Sequence, residues 1–286
     1  MSDSPLNLMF LLRDHSPHIQ SAWEQINNYI QAQSSVYVSS VSVIEDFCPT
    51  ESEADLVVVL GGDGAILRAC RQMGLKQLPM IGINLGRLGF LADLTPEGFC
   101  KNFALILERK YRIVEHLMFE CKHFLSDGTS KSYLGLNEVV ISSAGAMSML
   151  DVELAIDNEL VTTYSGDGLI ISTPVGSTAH SLSAGGPILK QDLQAFVITP
   201  ICPHTPSNRP LVDKADGLYS LTAANVPDGA MLVIDGQIKV PYSSGDRLEI
   251  TKASVTFKLA RIPGFNYYSR LNRKLGWGGQ PKYGAE

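Results

Sequence analysis

The chain has 286 residues, of which 45% are hydrophobic and 18% charged, and its formal net charge at pH 7 is −6. This length and apolar content suffice for a buried core in one or two domains and exclude a disordered or collagen-like chain. The acidic balance gives no reason to expect a nucleic-acid partner. No apolar run approaches the roughly 20 residues that cross a bilayer. We therefore expect a soluble globular protein without a nucleic-acid or membrane partner.

Cysteines and the distribution of charge add two further expectations. The five cysteines are odd in number, widely spaced and form no CxxC pair, which favours a reducing, cytoplasmic setting. Residues 261–286 carry five basic side chains and one acidic side chain, whereas residues 1–100 carry five and eleven. This basic tail is expected either to lie near an anionic ligand or to dock on the acidic N-terminal third.

The first hundred residues alternate between strand-like and helix-like patterns. Helical spacing of apolar residues predicts helices over residues 17–33 and 65–73. Apolar and β-branched runs predict strands at residues 6–12, 36–44, 55–60 and 79–85. Strands that alternate with helices in this way predict an α/β domain with a parallel sheet over residues 1–100.

After about residue 100, apolar side chains alternate with a period of two, and turn dipeptides interrupt the alternation. Asp127-Gly128, Asp157-Asn158 and Asp235-Gly236 lie between such runs, as hairpin turns do. We expect a mostly antiparallel β domain over residues 101–260. Residues 265–275 mix aromatic side chains with arginines and predict a short helix, within a tail at 261–286 that packs back on the first domain.

The strongest local feature is Gly61-Gly62-Asp63-Gly64, a turn between a buried strand and a helix. Glycines let the backbone turn tightly and bring its N–H groups to an anion, and the start of a helix adds a favourable dipole. An ordinary turn between strand and helix is the alternative interpretation. Asp63 favours the functional one, because a carboxylate facing phosphates is unfavourable unless it accepts a proton or helps to hold a metal ion. Asp63 is therefore the candidate general base.

Signatures of other enzyme classes are absent from the chain. It has no GxxxxGK[ST] loop, and residues 62–67 lack the last glycine of GxGxxG. No GxSxG nucleophile elbow occurs either. The first two absences argue against P-loop NTPases and simple Rossmann dehydrogenases.

A second group of polar segments follows in the β part. Residues 165–187 combine many glycines and hydroxyl side chains around the apolar strand 169–171, a composition suited to close contact with a sugar or a phosphate. Asn137-Glu138 precedes an apolar strand and offers an amide and a carboxylate to hydroxyl groups. Taken alone, Asn137-Glu138 is typical of a surface turn and Asp235-Gly236-Gln237 of a hairpin turn.

Taken together and in order, the motifs resemble the NAD kinase family over roughly residues 55–275. They are Gly61-Gly62-Asp63-Gly64, Asn137-Glu138, the block from Gly166 to Pro187, Pro200-Ile201-Cys202-Pro203-His204 and Asp235-Gly236-Gln237. The resemblance implies an α/β domain followed by a β-sandwich, with NAD between them. It implies phosphorylation of the 2′-hydroxyl of the adenosine ribose of NAD, by ATP with a divalent cation (Mg²⁺ foremost) or, in some bacterial members, by polyphosphate. It also implies a homo-oligomer, a dimer or a tetramer.

The resemblance also implies roles for particular positions. Asp63 takes the proton of the ribose hydroxyl, and Gly61, Gly62 and Gly64 face the phosphates of ATP. Asn137 and Glu138 contact the adenosine part of NAD, and Asp167 its nicotinamide end. The remaining positions implied in NAD binding are Gly64, Arg68, Ser165, Thr178, Ala179, His180, Ser181, Leu182, Ser183 and Gln237. The resemblance assigns no metal ligand.

Three positions depart from the family pattern. Ala65 stands where the family usually has Thr, which removes a hydroxyl near the phosphates. His180 replaces the commoner Tyr and adds a titratable ring, and Ser165 stands where many bacterial members have a basic residue. Two alternatives remain open at this point. One is a catalytically weak NAD(P)-binding sensor, and the other is a lipid kinase that shares the GGDG turn.

Overall fold

The computed structural model describes residues 5–33, 35–48, 53–86, 89–143, 149–205, 207–264 and 266–276. The chain forms two compact units, one of Met1–Val114 with Lys258–Glu286 and one of Glu115–Phe257. The predicted boundaries lay at residues 100 and 260, whereas the units divide inside two long strands, Arg112–Phe124 and Arg247–Arg261. Residues 277–286 of the predicted tail lie outside the described residues.

The secondary structure follows the predicted change from mixed to mainly β-structure. The α-helices are α1 (Pro17–Gln31), α2 (Asp63–Met73), α3 (Pro96–Lys101), α4 (Phe103–Leu107), α5 (His180–Ser183) and α6 (Tyr267–Leu275). Short 3₁₀ helices cover Ile44–Asp46 and Gly176–Thr178. The strands are β1 (Leu6–Leu12), β2 (Val36–Val43), β3 (Leu56–Leu60), β4 (Met80–Ile83), β5 (Arg112–Phe124), β6 (Ser130–Gly135), β7 (Glu138–Ser142), β8 (Leu150–Ile156), β9 (Glu159–Gly166), β10 (Gly168–Ser172), β11 (Ala195–Ile201), β12 (Leu211–Lys214), β13 (Tyr219–Ala223), β14 (Met231–Ile234), β15 (Ile238–Pro241) and β16 (Arg247–Arg261).

The first unit is built on a parallel sheet. Its strands lie in the order β2-β1-β3-β4, and Leu259 at the end of β16 pairs in parallel with Met80 of β4. All five residues of β3 are buried, as expected for a strand covered on both faces. The prediction of an α/β domain with a parallel sheet is confirmed.

Helices α1 and α2 pack apolar faces in this unit. Ile19, Ile26 and Ile30 of α1 are buried in a core that also contains residues of β1 and β3, and they lie on one face of the helix because they are about two turns and one turn apart. Helix α2 was predicted to begin at residue 65, but it begins at Asp63 with Gly62 as the N-cap. The predicted start was two residues late because the glycines on either side of Asp63 are typical of a turn. Asp63 is the first residue of the helix.

The second unit is a β-sandwich. One antiparallel sheet has the strand order β12-β11-β10-β7-β14-β15. Strands β13, β8 and β5 contribute the side chains that face this sheet across the core. Strand β13 pairs with β16, β8 with β9 and β5 with β6. Apolar side chains of both layers form one buried cluster, with Phe196 and Tyr219 packed edge to face at a centroid distance of 5.3 Å. The predicted antiparallel sandwich is confirmed.

The predicted hairpin turns are confirmed in this unit. Asp157 and Asn158 have φ values of 53° and 69°, and Asp235 and Gly236 have 51° and 67°. Both pairs fit the two-residue turn in which both central residues have positive φ, which matches the twist of the flanking strands. The turn at residues 127–128 likewise connects β5 and β6.

Helix α6 belongs to the first unit. The Asn266 side chain accepts a hydrogen bond from Ser269 N at 3.0 Å and caps the start, and Gly276 ends the helix with a φ of 67°. Leu271 is its buried residue, and Arg273 and Lys274 lie in its last turn, where cations favour the helix dipole. No α-helix in the described part of the chain combines the length and apolar character needed to cross a bilayer.

Candidate active site

The carboxyl ends of three parallel strands bring polar residues to one edge of the sheet in the first unit. Arg13 follows β1, the GGDG turn follows β3 and Asn84 follows β4. The strand order reverses direction between β1 and β3, because β2 lies beyond β1 and β4 lies beyond β3. In open α/β sheets, ligands bind outside the carboxyl ends at such a switch point. The GGDG turn therefore lies where the topology predicts a ligand.

Gly61 lets the chain turn sharply at this edge. Its φ is 154°, and a Cβ atom on it would meet Ala65 Cβ at 2.6 Å and Arg13 Cβ at 3.1 Å. No larger side chain fits there without movement of one of these neighbours. Ala65 is buried beside Gly61, so this position contributes packing in a place where the family usually has a hydroxyl.

Three backbone N–H groups hold the Asp63 carboxylate. Oδ2 accepts the N–H of Phe90 at 2.6 Å, and Oδ1 accepts those of Leu91 and Ala92 at 3.0 Å each. The side chain remains 28% exposed. N–H donors directed at both oxygens fix the orientation of the carboxylate. Asp63 is thus an oriented, solvent-accessible anion at the first turn of α2.

The same segment is held from its other side by two arginines. Arg261 donates to Phe90 O at 3.1 Å, and Arg270 of α6 donates to Gly89 O at 3.1 Å and to Ala92 O at 3.3 Å. The Asp93 carboxylate forms ion pairs with both guanidinium groups. The N–H groups of residues 90–92 therefore face Asp63, while carbonyl groups of residues 89–92 accept from arginines.

Burial affects these two arginines. It lowers the pKa of Arg261 to about 9, with a smaller contribution from the neighbouring Arg270, while the Asp63 carboxylate opposes this shift. Burial likewise lowers the pKa of Arg270 to about 10. Both pKa values lie above 7, so both side chains are cations at neutral pH. The groups that hold residues 89–92 are therefore two cationic arginines paired with the Asp93 carboxylate.

Lys274, in the last turn of α6, is a third cation near the turn. Its Nζ lies 3.8 Å from Asp63 Oδ2 and 4.4 Å from the centroid of the Phe90 ring. Arg261, Arg270 and Lys274 belong to none of the motifs recognised in the sequence. The excess of positive charge in residues 261–286 was the signal that pointed to them.

Arg68, a sequence-based candidate for NAD binding, forms an ion pair in this unit. Its Nη1 lies 2.7 Å from Glu45 Oε1, and both side chains are more than one-third exposed. Arg68 lies one turn into α2, whereas the Asp63 carboxylate is bound to residues 90–92. The structure therefore gives Arg68 a local partner on the 3₁₀ helix Ile44–Asp46.

In the second unit, Asp235 organises the start of β7. Its carboxylate accepts the N–H groups of Leu136 at 3.1 Å, Asn137 at 2.7 Å and Glu138 at 3.3 Å. The residue also occupies the predicted hairpin turn between β14 and β15. The turn interpretation was therefore correct but incomplete, because the same side chain fixes the backbone that presents Asn137 and Glu138.

Glu138 and His180, two sequence-based candidates of this unit, contact each other through a carboxylate and an imidazole. Glu138 is 1% exposed, its Oε1 lies 2.8 Å from His180 Nδ1, and its Oε2 has no hydrogen-bond partner among the described residues. The hydrogen bond with Glu138 raises the pKa of His180, and partial burial opposes that shift. A Cβ atom on Gly236 would meet His180 Cε1 at 3.1 Å, so the turn of β14 and β15 adjoins this pair.

The hydroxyl-rich segment 173–183 uses many of its hydroxyl groups internally. Thr173 Oγ1 donates to Leu136 O at 2.5 Å, Thr178 Oγ1 to Val175 O at 3.1 Å, and the Ser181 and Thr199 hydroxyl groups lie 2.9 Å apart. Ser181 is fully buried, whereas Ser183 is exposed. A hydroxyl-rich composition therefore serves the packing of this segment.

Glycine is required at the start of this segment. A Cβ atom on Gly176 would overlap the carbonyl oxygen of Asn137, so the 3₁₀ helix Gly176–Thr178 passes directly over that residue. Thr173 N donates to the same carbonyl at 2.9 Å. The structure thereby brings Asn137, Glu138, Thr178 and His180 together in one part of the second unit.

Three further sequence-based candidates, Ser165, Asp167 and Gln237, lie at or beside the ends of β9, β10 and β14, whereas Gly64 lies in α2, Ala179 precedes α5 and Leu182 lies within α5. The Ser165 hydroxyl bonds to Asp151, and Asp167 N donates to Ile201 O at 2.9 Å. The side chain of Asp167 contacts Cys202 and raises the pKa of that thiol. Gln237 N donates to Ile234 O at 2.9 Å and completes the hairpin turn.

No preformed metal cage exists within the described ranges, since no three His, Cys, Asp or Glu side chains there are grouped for a metal ion. Magnesium in kinases is commonly held by one or two carboxylates together with substrate phosphates. The partly exposed carboxylate of Asp63 in the GGDG turn fits that donor set. A cation bound there would neutralise charge on the donor's phosphates.

A helix start that offers backbone N–H groups to an anion, beside an oriented carboxylate, fits a phosphotransferase that acts with a nucleotide. Comparison with known families agrees with this class. Residues 11–111 match the family described as "ATP-NAD kinase N-terminal domain", and residues 136–262 match "ATP-NAD kinase C-terminal domain".

Individual relatives are named NAD kinase. The chain is 44% identical over 263 residues to an NAD kinase of Rhodopirellula baltica, covering 92% of this chain and 84% of the relative. It is 39% identical over 226 residues to an NAD kinase of Geotalea daltonii, covering 79% and 80%. The chain therefore belongs to the NAD kinase family, and it is an enzyme that phosphorylates NAD to NADP.

Two solved structures are similar in fold. A yeast NADH kinase complexed with NADH superposes with a TM-score of 0.88 at 22% identity, covering 99% of this chain and 91% of that one. An NAD kinase from Archaeoglobus fulgidus in complex with ATP superposes with a TM-score of 0.73 at 25% identity, covering 95% and 98%. The first of these likenesses is evidence of the fold alone.

Proposed function

We propose that this enzyme transfers the γ-phosphoryl group of ATP to the 2′-hydroxyl of the adenosine ribose of NAD, with Asp63 as the general base. The observation that carries this proposal is the geometry of Asp63, a partly exposed carboxylate oriented by the N–H groups of residues 90–92. A general base must be positioned within hydrogen-bond reach of the hydroxyl that it deprotonates. The N–H groups of residues 90–92 fix the orientation of Asp63 before substrate arrives, which supports this role.

The backbone of the GGDG turn is the proposed binding site for the phosphates of ATP. Gly61, Gly62 and Gly64 have no side chains that would keep an anion at a distance, and α2 directs the positive end of its dipole at the turn. Phosphoryl transfer requires the donor, the acceptor and the charged groups to be aligned more than it requires covalent chemistry by the protein. The rigid support of residues 89–92 by Arg261 and Arg270 suits that requirement.

We propose that the second unit binds NAD through the cluster around Glu138. The partnerless Oε2 of this buried carboxylate needs a donor, and a hydroxyl group of a nucleoside supplies one. Asn137, Asp167, Thr178 and Gln237 remain proposed contacts of NAD. So do Gly64, Arg68, Ser165, Ala179, His180, Ser181, Leu182 and Ser183. The internal bonds of Arg68, Ser165 and Ser181 make their backbone or aliphatic atoms the better contacts.

We also propose a divalent cation, Mg²⁺ foremost, that arrives with ATP, and an assembly of two or four copies in the cytoplasm. The carboxylate-and-phosphate donor set described above supports the metal. The five cysteines, all without a disulfide, support a reducing compartment. The dependence of the rate on Mg²⁺ tests the cation. Light scattering, which measures the mass of the protein in solution, tests the assembly. Polyphosphate is a further proposed donor, tested in place of ATP.

The experiment that tests the function measures NADP formation by the purified protein with NAD, ATP and Mg²⁺. We expect turnover in the wild type and a fall of kcat by about 10²–10⁴-fold in Asp63→Asn, which keeps the shape of the side chain but removes its basicity. Asp127→Asn is the matched control, because Asp127 lies in the exposed turn between β5 and β6.

Three outcomes would contradict the proposal. Absence of NADP formation in the wild type with any phosphate donor, together with dinucleotide binding in calorimetry, would favour an NAD(P)-binding sensor. Unchanged kcat in Asp63→Asn would remove this residue from the role of general base. Phosphorylation of a lipid in place of NAD would favour the lipid kinase alternative.

A further inference from the structure

We infer that Lys274 of helix α6 binds the γ-phosphate of ATP and accompanies it during transfer. This inference rests on the proposed function, in which Asp63 receives the proton of the acceptor hydroxyl. The carboxylate, the acceptor hydroxyl and the transferred phosphoryl group must then lie side by side. A cation 3.8 Å from Asp63 Oδ2 is therefore also a neighbour of the transferred group.

The position of the ammonium group is defined by two contacts. Lys274 Nζ lies over the Phe90 ring, 4.4 Å from its centroid, and the N–H of Phe90 donates to Asp63 Oδ2 at 2.6 Å. An aromatic face attracts a cation and fixes it without using any of its N–H donors. Phe90 thus places the ammonium beside Asp63 without occupying its three N–H donors.

The ion pair between Lys274 and Asp63 is also easily exchanged. The side chains are 34% and 28% exposed, and their 3.8 Å separation is longer than a hydrogen-bonded contact. Ion pairs of this kind are weak because water screens them. A phosphate carries more negative charge than a carboxylate and offers more acceptors, so the flexible lysine side chain gains by turning to it.

The two neighbouring arginines are already engaged. Arg261 and Arg270 both pair with Asp93 and donate to carbonyl oxygens of residues 89–92. Moving either one to a phosphate would break the support of the segment that holds Asp63. Arg273 is exposed on the same helix, and its charge helps to lower the pKa of Arg270. Lys274 is therefore the cation of α6 that reaches the turn and is able to leave its present contacts.

The test is steady-state kinetics of Lys274→Met and Lys274→Arg, with Arg273→Met as a control that removes one charge from the same turn of α6. A charge-assisted hydrogen bond to phosphate predicts a rise of the KM for ATP by about 10–100-fold in Lys274→Met. We expect the KM for NAD to stay within about twofold, Lys274→Arg to recover most of the loss, and Arg273→Met to resemble the wild type.

Calorimetry supplies a second measurement that does not depend on turnover. We expect Lys274→Met to weaken the binding of ATP by about tenfold or more and to leave the binding of ADP, which lacks the γ-phosphate, within about threefold. Thermal unfolding checks that the variant is folded. An unchanged KM for ATP, or an equal weakening for ATP and ADP, would overturn the inference. Wild-type NADP formation remains in that case, so the proposed function would stand.

Discussion

Gly89 lies against the carboxylate of Asp63, so closely that a Cβ atom at position 89 would overlap it. The next three residues along the chain supply the N–H groups that orient this carboxylate. The position of the proposed base is thus set by a backbone segment about 26 residues away in the sequence, and that segment requires a glycine for steric reasons.

Replacement of Gly89 by alanine is expected to displace Asp63. The added methyl group and the carboxylate cannot occupy the same space, so the carboxylate or residues 89–92 must move. A shift of about 1 Å in a reacting group lowers turnover by about 10²-fold, and we expect a fall of kcat of that size. NADP formation measures it. Gly86→Ala is the control, because a Cβ atom on Gly86 meets no atom of the described residues within 4 Å. Equal activity of both variants would contradict the prediction.

Replacement of Asp235 by alanine is expected to destabilise the second unit. The change removes the acceptor of the N–H groups of Leu136, Asn137 and Glu138. Buried donors left without an acceptor cost about 1–3 kcal/mol each, so we expect the free energy of unfolding in urea to fall by about 3 kcal/mol. Asp235→Asn keeps one oxygen and tolerates the positive φ of this turn, and its loss should be smaller. A fall below about 0.5 kcal/mol in the alanine variant would contradict the prediction.

His180 is expected to titrate above the ordinary histidine range. Its pKa is raised chiefly by the hydrogen bond to Glu138. Because the folded-state pKa is the higher one, the stability that this pair contributes is complete below the unfolded-state pKa of about 6.5 and is lost as the pH rises through the folded value. NMR titration of the His180 ring measures the shift, and Glu138→Gln should move the pKa back down. A His180 pKa at or below 6.5 in the wild type would refute the expectation.

The order of elements could be predicted well from the sequence, because it depends on local patterns. The all-buried strand β3 and the spacing of isoleucines in α1 follow from which faces must avoid water. The turns at residues 157–158 and 235–236 follow from residue types that tolerate positive φ. The site was partly predictable, because a glycine turn after a strand is typical of a phosphate site and the acid within it is a candidate base.

The partners of that acid could not be predicted. Residues 89–92 contain no polar side chain, and they act through backbone N–H and carbonyl groups that every residue possesses. The basic tail suggested a partner of negative charge, but it did not distinguish Lys274, which faces Asp63, from Arg270, which holds the backbone. Similarly, Asp235 matched a hairpin turn, and its second role became visible only with β7 beside it.

By itself, the sequence determined the type of each element, the division into α/β and β parts, and the residues able to carry the chemistry. These depend on periodicity and side-chain type, which act over a few neighbours in the chain. Only the tertiary structure decided which groups orient Asp63, which carboxylate holds Asn137 and Glu138, and which cation of α6 faces the turn. Such contacts join residues tens to hundreds of positions apart, and they arise from how the packed backbone directs its N–H groups and side chains.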